Sequence, residues 1–401
     1  MKESHSMYTK RKDDVWRGPA LSEVERAPPA RRYSIISPLI GGTLHPVRWA
    51  VIAALGIPCA LAIGFLLTRL AGQDDAGRSL LRILRYVLAL EILLLVALAF
   101  TGWLYERRER ERDLKLYRPP GKLLDIGGYR LHLSCTGSDG PTVVLEYGHQ
   151  ASHLTWYLVQ PQIASFTRVC FYDRAGYGWS DPSPQPRVPS VMAEELHTLL
   201  DSAGEKPPYI LVAHSFGSFN AVMFAHKFPE EVSGLVLVDG LHTLSLFPFR
   251  LSERLSLRTM QLMIPFGLPR WRGWCGGEAP GAIRGEKQAI TCRASLFRAF
   301  YRERAAYPES VLEMRAITSL GTVPLIVIAR DPALGSVSDE GNNWKQIQQE
   351  KLRLSKNAEL VIAIGSGHDI PHVRPDVIIA AVRKLLAQAS GTGGHPGNSL
   401  R

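Results

Sequence analysis

A serine set between small residues, where a strand gives way to a helix, is built for nucleophilic attack. Ala213-His214-Ser215-Phe216-Gly217 has that form. It closes the β-rich run from Tyr209 to His214 and opens the helical pattern from Ser215 to Phe228. A turn of this kind is sharp and strains the serine backbone, so its flanks must be small, and the strain pushes Oγ out above the sheet. The helix that follows presents its first amides to developing negative charge. An ordinary helix-capping serine is the blander reading. The strand–turn–helix setting favours the nucleophile.

A hydroxyl needs a base to become a nucleophile, and the base is expected late in the chain, after the last strand. His368, in Gly365-Ser366-Gly367-His368, has that place, and the glycines let its loop reach back over the sheet edge. His214 adjoins the serine but is expected to pack or hydrogen-bond locally. His149, His153, His242 and His372 receive no side-chain role. A carboxylate must orient the imidazole and stabilise its charged form. Two aspartates compete for that task. Asp331 follows the run Pro324 to Arg330 but stands one residue early, with Pro332 in the expected position. Asp239 ends the strand after the nucleophile helix and is preferred by a small margin. Asp339 and Glu340 come third. The oxyanion hole needs two backbone amides: that of Phe216, and that of His149 after the bend allowed by Gly148.

The elements that would position these residues are legible in the hydropathy pattern. Short runs at Leu123 to Ile126 and Tyr129 to Ser134, separated by Gly127-Gly128, read as a hairpin. Apolar runs follow at Thr142 to Tyr147, Arg168 to Asp173, Tyr209 to His214, Gly234 to Asp239, Pro324 to Arg330 and Glu359 to Gly365. Helical patterns separate most of them, notably Val188 to Ala203, Ser215 to Phe228 and Arg374 to Ala389. Strand alternating with helix predicts an α/β fold with a mostly parallel sheet covered on both faces. Residues 241 to about 320 lack a clear strand and hold amphipathic stretches. That insertion of roughly 80 residues is too long for a plain loop and predicts a helical cap over the sheet edge. The Gly-, Ser- and Pro-rich residues 390–401 read as a flexible tail.

The N-terminal quarter has a different character. Residues 1–48 read as a disordered basic tail. Trp49 to Thr68 runs without a charge and Tyr86 to Tyr105 is broken only by Glu91, so each is about long enough to cross a bilayer. Two spans, 49–68 and 86–105, predict a transmembrane hairpin. The net charge of +10 collects beside these runs, from Lys10 to Arg48 and from Arg107 to Arg118, as expected for contact with membrane lipid and not with nucleic acid. The same bias places the catalytic region on the cytoplasmic side. Cys59, Cys135, Cys170, Cys275 and Cys292 form an odd set with no CxxC pair. They are read as free thiols without metal or redox work, in a reduced compartment. Pairing of Cys275 with Cys292 is open to the chain but not required by its spacing.

Several longer segments carry a resemblance: VVLEYG at 143–148, Trp156, YDRAGYGWSDPSP at 172–184, AHSFGS at 213–218, FPEEVSGLVLVD at 228–239, FRAFYRERAAYPES at 297–310 and GSGHDI at 365–370. With these the chain, over residues 119–389, resembles the α/β-hydrolase superfamily and in particular its bacterial-type serine hydrolases. The resemblance implies a cap-lined acyl pocket, ester or related acyl substrates, and no metal or cofactor. Two departures stand out. His149, Gln150 and Ala151 replace a glycine-rich oxyanion turn, and Pro332 replaces the regular aspartate. A serine at 215 in place of an aspartate argues against dehalogenase and epoxide-hydrolase chemistry. The expected activity is therefore cleavage of a lipophilic ester by a membrane-anchored serine hydrolase. The alternatives are an inactive hydrolase fold serving as receptor or scaffold, and a cofactor-free perhydrolase or lyase.

Overall fold

The structure, a computed structural model, describes residues 75–241, 243, 248–276, 279–334 and 344–391. The expected basic tail at 1–48, the apolar run at 49–68, Asp339, Glu340, His242 and the tail from residue 392 lie outside the described residues. Two compact units are separated by their internal contacts. Among the described residues, one holds 118–248 and 302–391, and the other 75–117 and 249–301.

The first unit is built on a single sheet. Its strands are β1 (Lys122–Asp125), β2 (Arg130–Thr136), β3 (Thr142–Glu146), β4 (Val169–Asp173), β5 (Tyr209–His214), β6 (Val232–Val238), β7 (Leu325–Arg330) and β8 (Ala358–Ala363), in the order β1-β2-β4-β3-β5-β6-β7-β8. β2 runs antiparallel to β1 and β4, while β4, β3 and β5 through β8 are parallel. The β1–β2 hairpin is held at its turn by Asp125 Oδ1, which accepts the amides of Gly127 and Gly128 at 2.8 Å.

Covering both faces requires apolar side chains at every position, and that is why β3 and β5 are buried throughout. Their two-residue period divides those side chains between two cores. Val144, Leu211, Ala213, Leu235 and Leu237 enter one, together with Leu196 and Leu200 of helix α2 (Pro189–Ala203) and Phe219 and Val222 of α3 (Gly217–Lys227). Val143, Leu145, Ile210, Val212 and Val236 enter the other, with Trp156 and with Ile378, Val382 and Leu385 from near the C-terminus. α2 starts at Pro189 and stops at Gly204, whose φ of 74° ends the helix. The predicted alternation of strand and helix is thus observed. The predicted insertion is helical, with α4 (Leu251–Met263), α5 (Gly281–Thr291), α6 (Ala294–Ala305) and α7 (Tyr307–Ala316).

The second unit holds the only candidate membrane span among the described residues, on the 42-residue helix α1 (Asp75–Leu116). The predicted span at 86–105 is therefore the middle of a longer helix, and the two-helix hairpin is not observed among the described residues. The helix continues past Tyr105 because its charged end has protein to pack on. Glu106 and Asp113, seven residues apart and so on one face, are both buried and share the buried guanidinium of Arg270. Nε and Nη2 of Arg270 donate to Glu106 at 2.9 and 3.2 Å, and Nη1 lies 2.8 Å from Asp113 Oδ2. One turn earlier the backbones nearly touch, since a Cβ on Gly102 would stand 2.3 Å from the carbonyl oxygen of Phe266. Only glycine admits that approach.

The cysteines overturn the expectation of free thiols. Cys135 and Cys170 face each other in the β2–β4 register and are joined, with Cα atoms 4.0 Å apart. Cys275 and Cys292 are joined within the second unit. Sequence spacing could not bring β2 beside β4, because that neighbourhood is a property of the sheet order.

Replacing Arg270 with alanine would strand two buried carboxylates, a change expected to cost about 3–5 kcal/mol. Urea unfolding of the detergent-solubilised chain, followed by tryptophan fluorescence, should show that loss, with Arg270→Lys recovering only part of it because a lysine lacks the fork. A loss below about 1 kcal/mol, as for an exposed pair, would contradict the buried-triad reading.

Candidate active site

Ser215 sits in the turn between β5 and α3 with φ of 53°, the strained conformation expected of it. The turn is tied down by its own backbone: Ser215 N–H donates to Val238 O at 3.0 Å, and Ser215 O accepts from Leu241 N–H at 3.1 Å. Close packing explains the small residues nearby. A Cβ on Gly148 would lie 2.8 Å from Ser215 Cβ, and one on Gly217 would lie 2.7 Å from Glu146 Cγ.

His368 meets the serine across the sheet end. Its Nε2 lies 3.0 Å from Ser215 Oγ and its Nδ1 lies 2.6 Å from Asp239 Oδ2. The two candidate aspartates are thereby separated. Asp239, in a turn with φ of 39°, reaches the imidazole. Asp331 does not: its Oδ1 accepts the amide of Ala333 and its Oδ2 that of Gly365, both at 2.9 Å. Those two amides hold its carboxyl below the usual range. Asp331 shapes the loop that carries His368 and does not contact the imidazole. For Asp239, burial alone would raise the carboxyl. The hydrogen bond and charge of His368 outweigh it, aided by Lys351 and Arg330, and bring the group down to about 2. Asp239 is an anion at any pH where the fold would work.

His214 behaves as expected of a local residue. Its Nε2 lies 2.9 Å from His368 O, and burial and repulsion from His368 push it down to about 4. It is neutral, so its Nε2–H donates to that carbonyl and fixes the backbone that carries the base.

Phe216 and His149, the expected oxyanion pair, are brought together. Phe216 caps the first turn of α3, and the ring of His149 stacks on that of Phe216 with centroids 3.8 Å apart. Burial, then the charges of Arg174 and Arg304, drives the imidazole of His149 well below its usual range and keeps it neutral. Gly148 lies against Ser215, as described, so the turn that carries His149 borders the nucleophile.

Arg174 holds that turn, and no feature of the sequence pattern singled it out. It is fully buried at the end of β4. Its Nη1 donates to Tyr147 O at 2.6 Å and its Nη2 to Gly148 O at 2.9 Å. Its charge is met by Glu146 Oε1 at 2.5 Å and Glu303 Oε1 at 3.0 Å. Tyr177 donates to the other oxygen of Glu303 at 2.7 Å, and Asn220 donates to Glu146 at 3.2 Å. The only sequence signal for Arg174 and Glu303 was their place inside two segments of resemblance, YDRAGYGWSDPSP and FRAFYRERAAYPES.

A second polar cluster lies in the same sheet. His132 Nδ1 and His153 Nδ1 approach the buried Asp173 carboxylate at 2.8 and 3.2 Å. Burial raises that carboxyl, but the two imidazoles and their hydrogen bonds carry it well below the usual range. These three groups have the residue types and spacing to hold a metal ion. As they stand, both imidazoles turn toward the carboxylate as hydrogen-bond donors, and Trp179 N–H adds a third donor at 3.1 Å.

Residues 136–381 match the family model described as "Alpha/beta hydrolase family". The uncharacterized protein YqjL of Bacillus subtilis (strain 168) is 26% identical over 255 residues, covering 63% of this chain and 86% of that protein. Among solved structures, epoxide hydrolase CorEH shares 18% identity at a TM-score of 0.51, over 67% of this chain and 98% of its own. A thermophilic esterase from Thermogutta terrifontis shares 20% at 0.50, over 65% and 94%. At these identities the two structures are alike in fold, while the family match spans more than half of the sequence. This chain belongs to the alpha/beta hydrolase family.

Proposed function

We propose that the protein is a membrane-anchored serine hydrolase that cleaves a lipophilic carboxylic ester. The observation that carries the reading is the unbroken chain of contacts from Asp239 through His368 to Ser215. In this reading Nε2 of His368 removes the proton of Ser215 as Oγ attacks the ester carbonyl. Asp239 holds Nδ1–H and balances the imidazolium. The amides of Phe216 and His149 receive the oxyanion. His368 then returns the proton to the departing alcohol, and water activated by the same imidazole hydrolyses the acyl-enzyme. Arg174 is a positioning residue: it fixes the successive carbonyls of Tyr147 and Gly148, so that the His149 amide is set before substrate arrives.

Anchoring is supported by the exposed apolar part of the long helix, from Tyr86 through Leu98 to Phe100. Flanking charge favours a cytoplasmic domain, but two disulfides favour the oxidising face of the membrane. We take the disulfides as decisive, because they lie inside the domain whose side is in question. Polyethylene-glycol maleimide applied to denatured, unreduced protein should then leave Cys135, Cys170, Cys275 and Cys292 unmodified until a reductant is added. Modification of all four without reductant would return the domain to the cytoplasm.

The first functional test is labelling of the detergent-purified chain with a fluorophosphonate. Wild type should label and hydrolyse aryl esters, and Ser215→Ala should do neither while keeping its thermal unfolding temperature. Well-folded wild type that fails to label would turn the reading to an inactive hydrolase fold.

The reading also predicts a pH profile. Asp239 titrates near 2 and His214 near 4, so above about pH 5 neither changes charge. The acid limb of kcat/KM should therefore follow a single protonation, and a limb second-order in protons there would contradict the assignment. The anionic form of Asp239 also stabilises the fold. Its folded value is depressed, so that contribution is complete above about pH 4 and lost as pH falls toward 2.

Arg174→Lys keeps the charge but loses the fork that grips two carbonyls. Misplacing the turn should lower kcat on the order of 100-fold with little change in KM. A rise in KM alone would assign Arg174 to binding.

A further inference from the structure

The second unit exposes apolar side chains that its own packing does not use. On α4, Leu251, Leu255 and Leu262 are 70%, 49% and 72% exposed. With Arg258 they stand at positions i, i+4, i+7 and i+11, which fall on one narrow face of a helix. The opposite face holds the buried Ser256, Leu257 and Met260. Past the helix end, Phe266 is 47% and Trp271 68% exposed. The face is apolar along its centre and basic at its margins. Arg258 lies over the ring of Tyr301, Arg254 over Phe249 and Arg272 over Trp271.

The height of this face along the long helix is fixed by contacts within the unit. Phe266 packs on Gly102, and Gly267 on Tyr105. Those two residues mark the end of the apolar run, because Glu106 and the basic series after it begin at once. Trp103 and Tyr105 are partly exposed there, with Arg107 stacked on Trp103. That is the composition of a membrane–water boundary, with amphipathic aromatic rings and arginines that can reach headgroups. Phe266 and the end of α4 therefore lie at the same level as the boundary of the span.

We propose that the face formed by Leu251, Leu255, Leu262, Phe266 and Trp271 docks into the surface of an anionic lipid bilayer beside the anchor helix. The argument rests on the anchoring reading above and adds a second point of attachment. An in-plane amphipathic helix binds by burying its apolar stripe among the acyl chains while arginines meet anionic headgroups. α4 has both parts, and Phe266, Gly267 and Arg270 fix the segment that follows it against the anchor helix.

The test places single nitroxide labels on the full chain, in a Cys59→Ser background, at Leu94→Cys, Leu262→Cys and Leu312→Cys. Leu94 reports the anchor, Leu262 the docked face, and Leu312 is an exposed leucine of the other unit. Collision with oxygen and with a water-soluble nickel chelate is measured in phosphatidylcholine/phosphatidylglycerol nanodiscs. Docking predicts that 94 and 262 both favour oxygen over nickel while 312 favours nickel. A lipid-like 94 with a water-like 262 would overturn the docking and leave the anchor standing. A water-like 94 would overturn both. If 262 is shielded from both reagents, protein and not lipid covers the face, and the docking is equally overturned.

Discussion

A single buried cation organises the catalytic end of the sheet. Arg174 sits between two carboxylates and two main-chain carbonyls, and these partners come from three parts of the site. Glu146 ends β3, the carbonyls form the turn beside Ser215, and Glu303 comes from the helical insertion. A guanidinium out of water is tolerable only when its charge and donors are met, so the four groups are held as a set. Burial holds the Glu146 carboxyl above its usual range even though Arg174 and its hydrogen bonds pull it down, so each of the two groups depends on the other. His149 and Gln150 follow Gly148, and this turn is held from beneath by Arg174 and from the side by the His149–Phe216 stack.

Ser215, Asp239 and His368 are supported in a comparable way, by backbone placed where parallel strands end. Ser215 and Asp239 both adopt positive φ, and each strained turn is anchored to a neighbouring strand: Ser215 N–H to Val238 O, Asp239 N–H to Ile328 O at 2.7 Å. Strain at those two positions is sustained by the ladder beneath them. His368 is more loosely held by its own loop, and it depends on His214 and Asp331 to set the main chain around it.

Much of this was legible before any coordinates. The alternating runs located all eight strands to within a few residues, because a parallel sheet demands continuous apolar segments and little else in a soluble unit does. Ser215 and His368 were legible because each sits at a strand end with glycine beside it. The partner of His368 was legible only as a narrow preference for Asp239, since both Asp239 and Asp331 end strands. The choice turns on which carboxylate is left to face the imidazole once Gly365 and Ala333 have claimed Asp331. Arg174 and Glu303 were illegible for a different reason. They are 129 residues apart, and a buried ion pair leaves no local pattern. The disulfide between β2 and β4 was hidden likewise, in a strand order that skips β3. On the long helix, hydropathy marked the apolar middle correctly and missed the charged continuation, which packs on the insertion through Arg270.

That continuation has a bearing on how the protein can be divided. The boundary between the units does not follow the boundary between apolar and polar sequence: residues 75–117 share a unit with 249–301, although 131 residues of chain lie between them. A soluble fragment begun after Leu116 would keep every residue of the catalytic constellation and the whole sheet. It would also lose Glu106 and Asp113, leaving Arg270 a bare buried cation, and it would uncover the surface of Phe266 and Gly267 that Gly102 and Tyr105 now fill. The long helix is thus a structural part of the insertion, packed into it through Gly102, Tyr105, Glu106 and Asp113. Exchange of one for a foreign membrane helix would have to carry the other with it.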